Sequence, residues 1–145
     1  MITDYEKSNS ILEVAYKRLS SKEYSTLLNN PTNRQQAGQK LLDYLCDKYK
    51  IARIPLIVSN RPRKCTGNRQ TYGFYRLYGK TGISITIYNK TAKTGQEVAI
   101  KTFADTLLHE FVHHYDTTYL NIVSTHTTGF YKRISDLKNK LEKNA

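Results

Sequence analysis

His109-Glu110-Phe111-Val112-His113 reads H-E-x-x-H, and its surroundings read as a helix built to present it. Two histidines four positions apart on an α-helix sit one turn apart on one face. Their imidazoles can then reach a single ion, with zinc the usual guest. The glutamate between them projects beside that face, where it can take a proton from a metal-activated water. Thr94-Gly95-Gln96-Glu97 has the T-x-x-E form of a capping box and predicts a helix start near Thr94. From Glu97 to Asp116 there is neither Pro nor Gly. At helical spacing Ile100, Ala104, Leu107, Leu108, Phe111 and Tyr115 gather on one side, and Thr102, Asp105, His109, His113 and Asp116 on the other. The helix can therefore bury its back while its histidines face a cleft. The competing reading is an ordinary amphipathic helix with surface histidines. A core histidine belongs on the apolar side, where these two are not; His114 points toward that side and reads as structural.

A catalytic zinc usually takes three protein ligands and leaves one position for water. Three residues compete for the third place. Glu142 is the only glutamate after His113, and it lies near the chain end. Asp116 falls on the metal face but is strained as a third ligand from the same helix; orienting a ligand histidine suits it better. His126 starts the next element after a turn region, and is the best candidate. Its bland alternative is a polar loop residue or a helix cap.

The chain has 145 residues, enough for one domain with a real core. No apolar run approaches the length of a membrane span, and the first residues carry no apolar signal region, so a cytoplasmic protein without membrane partners is expected. Cys46 and Cys65 form no C-x-x-C pair and are expected as free thiols in a reducing compartment. The formal net charge is +11 and unevenly placed. Between Asp47 and Glu97 there is no acidic residue, while eleven Lys and Arg occur there, among them Arg61, Arg63, Lys64 and Arg69. A one-sign block of this kind is a candidate footprint for a polyanion. Interleaved Tyr72, Phe74, Tyr75 and Tyr78 suit base stacking. A basic surface with no nucleic-acid role is the equally weighted alternative.

In chain order, helical spacing predicts a helix over 4–19, a short helical turn around Tyr24, Leu27 and Leu28, and a helix over 32–49. Strands are predicted over 54–58, 72–78 and 83–88, the last with Ile83, Ile85 and Ile87 inward and Ser84 and Thr86 outward. That last strand is also a candidate sheet edge for binding a peptide by strand addition. A final helix is predicted over 129–143. One domain over 1–145 follows: a helical scaffold over 1–50, a basic β region over 51–93, and the metal-site and C-terminal helices over 94–145.

The strand over 83–88, the helical Thr106-Leu107-Leu108-His109-Glu110-Phe111-Val112-His113, and His126 followed by Gly129-Phe130 together resemble the SprT-like metalloprotease family, which includes Spartan. That family carries H-E-x-x-H and a later histidine, commonly before a glycine and an aromatic that open a helix. The resemblance implies metal ligation by His109, His113 and His126 and a general-base role for Glu110. In many members glycine follows the third histidine directly, whereas Thr127 and Thr128 intervene here. The cysteines for the zinc ribbon of some bacterial members do not exist in this chain.

The expected architecture is an α+β, zincin-like fold, with a sheet of three or more strands packed on helices. The expected activity is zinc-dependent peptide hydrolysis with one Zn2+ per chain, Glu110 as base, Asp116 behind the ligands, and Tyr131 or Arg133 stabilising the transition state. Resemblance to Spartan adds protein substrates on or crosslinked to DNA. The rival class is a nucleic-acid-binding module with a structural zinc, which requires a fourth ligand from Asp116 or Asp136.

Overall fold

The computed structural model describes residues 2–62, 65–66, 69–70, 72–78, 82–90 and 96–143. Helices α1 (Asp4–Ser10), α2 (Lys22–Leu28) and α3 (Arg34–Tyr49) lead into strand β1 (Leu56–Pro62). A two-stranded antiparallel ribbon follows, β2 (Cys65–Thr66) with β3 (Arg69–Gln70). Then come β4 (Gly73–Tyr78), β5 (Gly82–Lys90), α4 (Ile100–Thr118) and α5 (Thr128–Lys143). The main sheet has the order β1-β5-β4, with β1 parallel and β4 antiparallel to β5. The fold is thus α+β, and H-E-x-x-H lies in the helix α4.

Ile85 and Ile87 of β5 are buried against the helical layer, as their alternation predicts. Thr86 on the opposite face is buried as well. β5 is the central strand, so the predicted edge role for residues 83–88 is overturned: both of its flanks are hydrogen-bonded, to β1 and β4. β4 is an edge of this sheet instead. Leu41, Leu42 and Leu45 of α3, Phe103, Leu107, Leu108 and Phe111 of α4, and Phe130, Leu137 and Leu141 of α5 meet in one core. Cys46 sits in it as a free thiol, and burial pushes its pKa up to about 12.

Two helix boundaries differ from the pattern of the sequence. The first helix stops at Ser10 instead of reaching residue 19. Beyond it the backbone is satisfied by side chains of α5 and α4 rather than by its own turns. Arg133 donates to the Ile11 carbonyl, Lys140 to the Val14 carbonyl, and the Val14 N–H donates to Asp136. The Ala15 N–H donates to the Tyr115 hydroxyl. Tyr16, with φ 70°, marks the irregular course, and Leu12 and Tyr16 are exposed where helical spacing predicts burial.

The helix carrying the motif starts at Ile100, not near Thr94, which lies outside the described residues. Glu97 is no capping residue. It bridges to Lys90 beside β5 and pairs with Arg34 of α3 at 2.8 Å. Arg34 also donates to the Val98 carbonyl and to Asn89, so it ties the approach to α4 onto α3 and the end of β5. A tertiary ion pair has replaced the local cap.

Candidate metal centre

α4 is packed against the sheet, α2, α3 and α5, and only a narrow stripe of it stays open. His109 and His113 lie on that stripe, half-buried. His126 approaches them from the irregular segment before α5. One ligand-capable nitrogen from each of the three lies within 4.8 Å of the other two. The Nε2 atoms of His113 and His126 are 3.1 Å apart. A tetrahedral zinc with bonds of about 2.0–2.1 Å sets ligand nitrogens roughly 3.3 Å apart, so this donor set fits the ion. Among the described residues no fourth protein donor joins the three histidines.

Phe130 forms the floor of the cluster. Its ring stacks on His113 at 4.4 Å and meets His109 edge-on at 5.1 Å. Burial and the neighbouring imidazoles keep His109 and His113 uncharged. His109 is held down at about 4, by burial first and then by His126. His113 is held at about 3, by burial and then by His109 and His126. Neutral imidazole is the form that binds a metal.

Glu110 is buried, with Oε2 3.9 Å from Nε2 of His109. Burial raises its carboxyl to about 7, and a hydrogen bond from the backbone of Tyr75 on β4 opposes that rise. The edge strand thus touches the glutamate directly. Tyr75 also donates its hydroxyl to Nδ1 of His114, whose Nε2–H goes to the Ala52 carbonyl at 2.8 Å. His114 is fully buried and structural, as expected. Its bond to Tyr75 makes that tyrosine a wall of the site rather than a free stacking platform.

A cleft of about 850 Å³ opens over the cluster, lined among others by Phe74, His109, Glu110, Ile122, Val123 and His126. A second recess of about 430 Å³, with Tyr72, Thr102, Asp105 and Thr106, lies on the other side. The two share Gly73, His109 and Glu110, so the histidines lie where the two recesses meet.

The remaining candidates fall in different places. Asp116 is fully buried and does not reach the cluster; it pairs with Arg133 at 2.7 Å and accepts from Ser124. Helical spacing puts it on the histidine face, but Arg133 of α5 covers it. Burial pushes its carboxyl up and the guanidinium pulls it back. With a permanently charged partner on both oxygens it stays a carboxylate. Arg133 cannot serve as a transition-state donor. It is fully buried, and its nitrogens are taken by Asp116, Ser8 and the Ile11 carbonyl. Tyr131 is half-exposed, its ring 5.9 Å from that of His126 and 6.2 Å from that of His109. Asp136 is engaged by Lys140 and the Val14 N–H, away from the histidines. Arg61 is exposed at the end of β1. Arg63 and Lys64 lie outside the described residues, and Arg69 is described only as part of β3.

Ser124, Tyr75 and Phe130 are site residues that the motif reading did not identify as such. Ser124 lies in the turn region before His126, and Phe130 entered only as the aromatic that follows Gly129. No protein-family profile, curated protein or solved structure matches this chain.

Proposed function

We propose that this chain is a zinc-dependent metallopeptidase of SprT-like type. The observation that carries the reading is the convergence of His109, His113 and His126 beside the buried Glu110, under an edge strand and in an open cleft. Zinc bound there supplies a Lewis acid for the scissile carbonyl and lowers the pKa of water toward neutrality. Glu110 accepts the proton of the attacking water and passes it to the leaving amine. β4, an edge of the sheet, pairs with an extended peptide, whose side chains fall into the recesses on either side of Gly73. Tyr131 at the rim is the side chain proposed to steady the developing oxyanion.

The rival, a structural zinc in a binding module, needs a fourth protein ligand. Asp116 and Asp136, its two candidate donors, are both committed to cations elsewhere. The buried Glu110 also has no role in a closed site.

Glu110→Gln tests the reading. Zinc content should stay at about one per chain, and peptidase activity should fall by roughly 10²–10⁴. A Glu110→Gln protein that cleaves at the wild-type rate removes the general base from the mechanism. DNA-associated substrates are the finer reading, resting on the acid-free basic stretch and on the resemblance. Binding to single-stranded DNA should fall log-linearly with salt, with a slope of roughly 0.7 per phosphate neutralised. Replacing Arg61, Arg63, Lys64 and Arg69 by Ala should flatten that slope. Fluorescence anisotropy across a salt titration reads it, and absence of binding at low salt leaves a peptidase without a DNA partner.

A further inference from the structure

Behind the three histidines lies a second polar cluster, and it is buried. Its centre is Arg133 of α5. Nε and Nη2 donate to Asp116 at 3.0 and 2.7 Å. Nη1 donates to the backbone carbonyls of Ser8 and Ile11 at 2.6 and 2.7 Å, and Nη2 also reaches the Ser8 hydroxyl at 2.9 Å. A buried ion pair is a poor source of stability, since desolvation offsets most of its attraction. What this one is connected to is therefore more informative than its presence.

One arm leads to His113. Asp116 Oδ2 lies 3.0 Å from Ser124 Oγ, which lies 2.8 Å from His113 Nδ1. The hydroxyl has a single proton, and the carboxylate can only accept. Ser124 therefore donates to Asp116 and accepts from His113 Nδ1–H. This leaves the lone pair of His113 on Nε2, the atom that faces His126. The other arm leads to His126. The Ser8 hydroxyl bonds that of Thr127 at 2.6 Å, and Thr127 directly follows His126. Thr127 Oγ1 also accepts from the Phe130 N–H, which fixes the start of α5.

α1 closes on the same segment at further points. Asn9 accepts from the Gly129 N–H, Asp4 accepts from the Val123 N–H, and Lys7 donates to the Leu120 carbonyl. At Gly129 a Cβ would run into the Ser8 carbonyl and the Asn9 backbone, so only glycine allows α1 to lie this close.

We propose that Arg133, Asp116 and Ser8 form a positioning hub for the metal centre, fixing His113 through Ser124 and His126 through Thr127, so that α1 is a working part of the site. The inference rests on the three-histidine reading above. Outer partners of this kind typically contribute 10–100-fold to metal affinity. None of the three belongs to the donor cluster itself.

Zinc affinity, measured by competition with a chromophoric chelator, tests the hub in the full chain, together with the visible absorption of bound cobalt(II). Ser124→Ala and Ser8→Ala should each weaken zinc by roughly 10–100-fold and alter the cobalt spectrum. Ser124→Thr keeps the hydroxyl and should restore both. Ser124 is only half-buried, so it decides the matter if Ser8→Ala fails to fold. A merely structural role would lower the melting temperature of the metal-free variants and leave zinc affinity and the cobalt spectrum at wild-type values. That result overturns the hub while the three-histidine site stands. Wild-type protein that binds no zinc overturns the metal site and the hub with it.

Discussion

His109 and His113 reach the cleft from a helix, and His126 reaches it from a segment with no repeating backbone. The two supports are built from different material. α4 is held by its own ladder and by a buried wall that includes Phe103, Leu107 and Phe111, so its two histidines are placed by residues close in sequence. Over 119–127 no such ladder exists, and Asn121 takes a left-handed φ of 56°. There the Leu120 and Ile122 N–H groups reach back to the Tyr115 and Asp116 carbonyls at the end of α4, and the rest of the grip comes from side chains at the far end of the chain, such as Asp4 on the Val123 N–H, 119 positions away. A ligand on a helix is set by local periodicity, whereas a ligand on a loop is set by whatever distant element grips the loop.

The largest effect that can break this contrast is loss of a ligand. His126→Ala should lower zinc affinity by more than the roughly 10–100-fold expected of an outer partner, and by as much as His113→Ala does. Inductively coupled plasma mass spectrometry and chelator competition read it. Full occupancy in His126→Ala would leave the helix pair as the whole protein contribution and return the loop to a passive role.

A smaller effect is expected where α1 grips the loop. Gly129→Ala must push α5 off the Ser8 carbonyl. Overpacking of this kind costs about 1–3 kcal/mol, read as a shift in the urea midpoint. Zinc affinity should fall in parallel, because His126 moves with Gly129. A variant destabilised to that extent with unchanged zinc affinity would show that the grip of α1 serves the fold alone.

The same contrast decides what was legible in the sequence. Period and breakers located α2, α3, α4 and α5 to within a few residues, except the start of α4, and the alternation of Ile83, Ile85 and Ile87 located β5. The His109–His113 pair was legible because helix geometry alone brings it together. His126 was reached by elimination among few donors, with its structural support unseen. The misreadings share one cause. Residues 11–19 carry a helical apolar spacing, but their backbone groups are taken by Arg133, Lys140, Asp136 and Tyr115. Glu97 looks like a cap and is used by Arg34. The role of residues 83–88 as an edge failed because sheet order depends on where β1 docks, which local alternation does not encode.

The smallest effect is expected at Tyr49, which packs on the back of α4 through its ring alone. Tyr49 of α3 is 2% exposed, and its ring packs on Tyr115 at 5.0 Å, Tyr119 at 5.9 Å and Phe111 at 6.0 Å. Its hydroxyl is buried with no hydrogen-bond partner among the described residues. Burial accordingly drives its pKa upward. An unpartnered buried hydroxyl costs about 1–3 kcal/mol, so removing it at constant ring shape should not destabilise. Tyr49→Phe is therefore expected to raise stability by up to about 1 kcal/mol in urea denaturation. Zinc affinity should stay at its wild-type value, because among the described residues no hydrogen bond leads from the Tyr49 hydroxyl to the histidines. Removal of a hydroxyl at Ser124 and at Tyr49 should thus act on different quantities: metal affinity in the first, fold stability in the second. A clear destabilisation by Tyr49→Phe would mean that the hydroxyl has a partner.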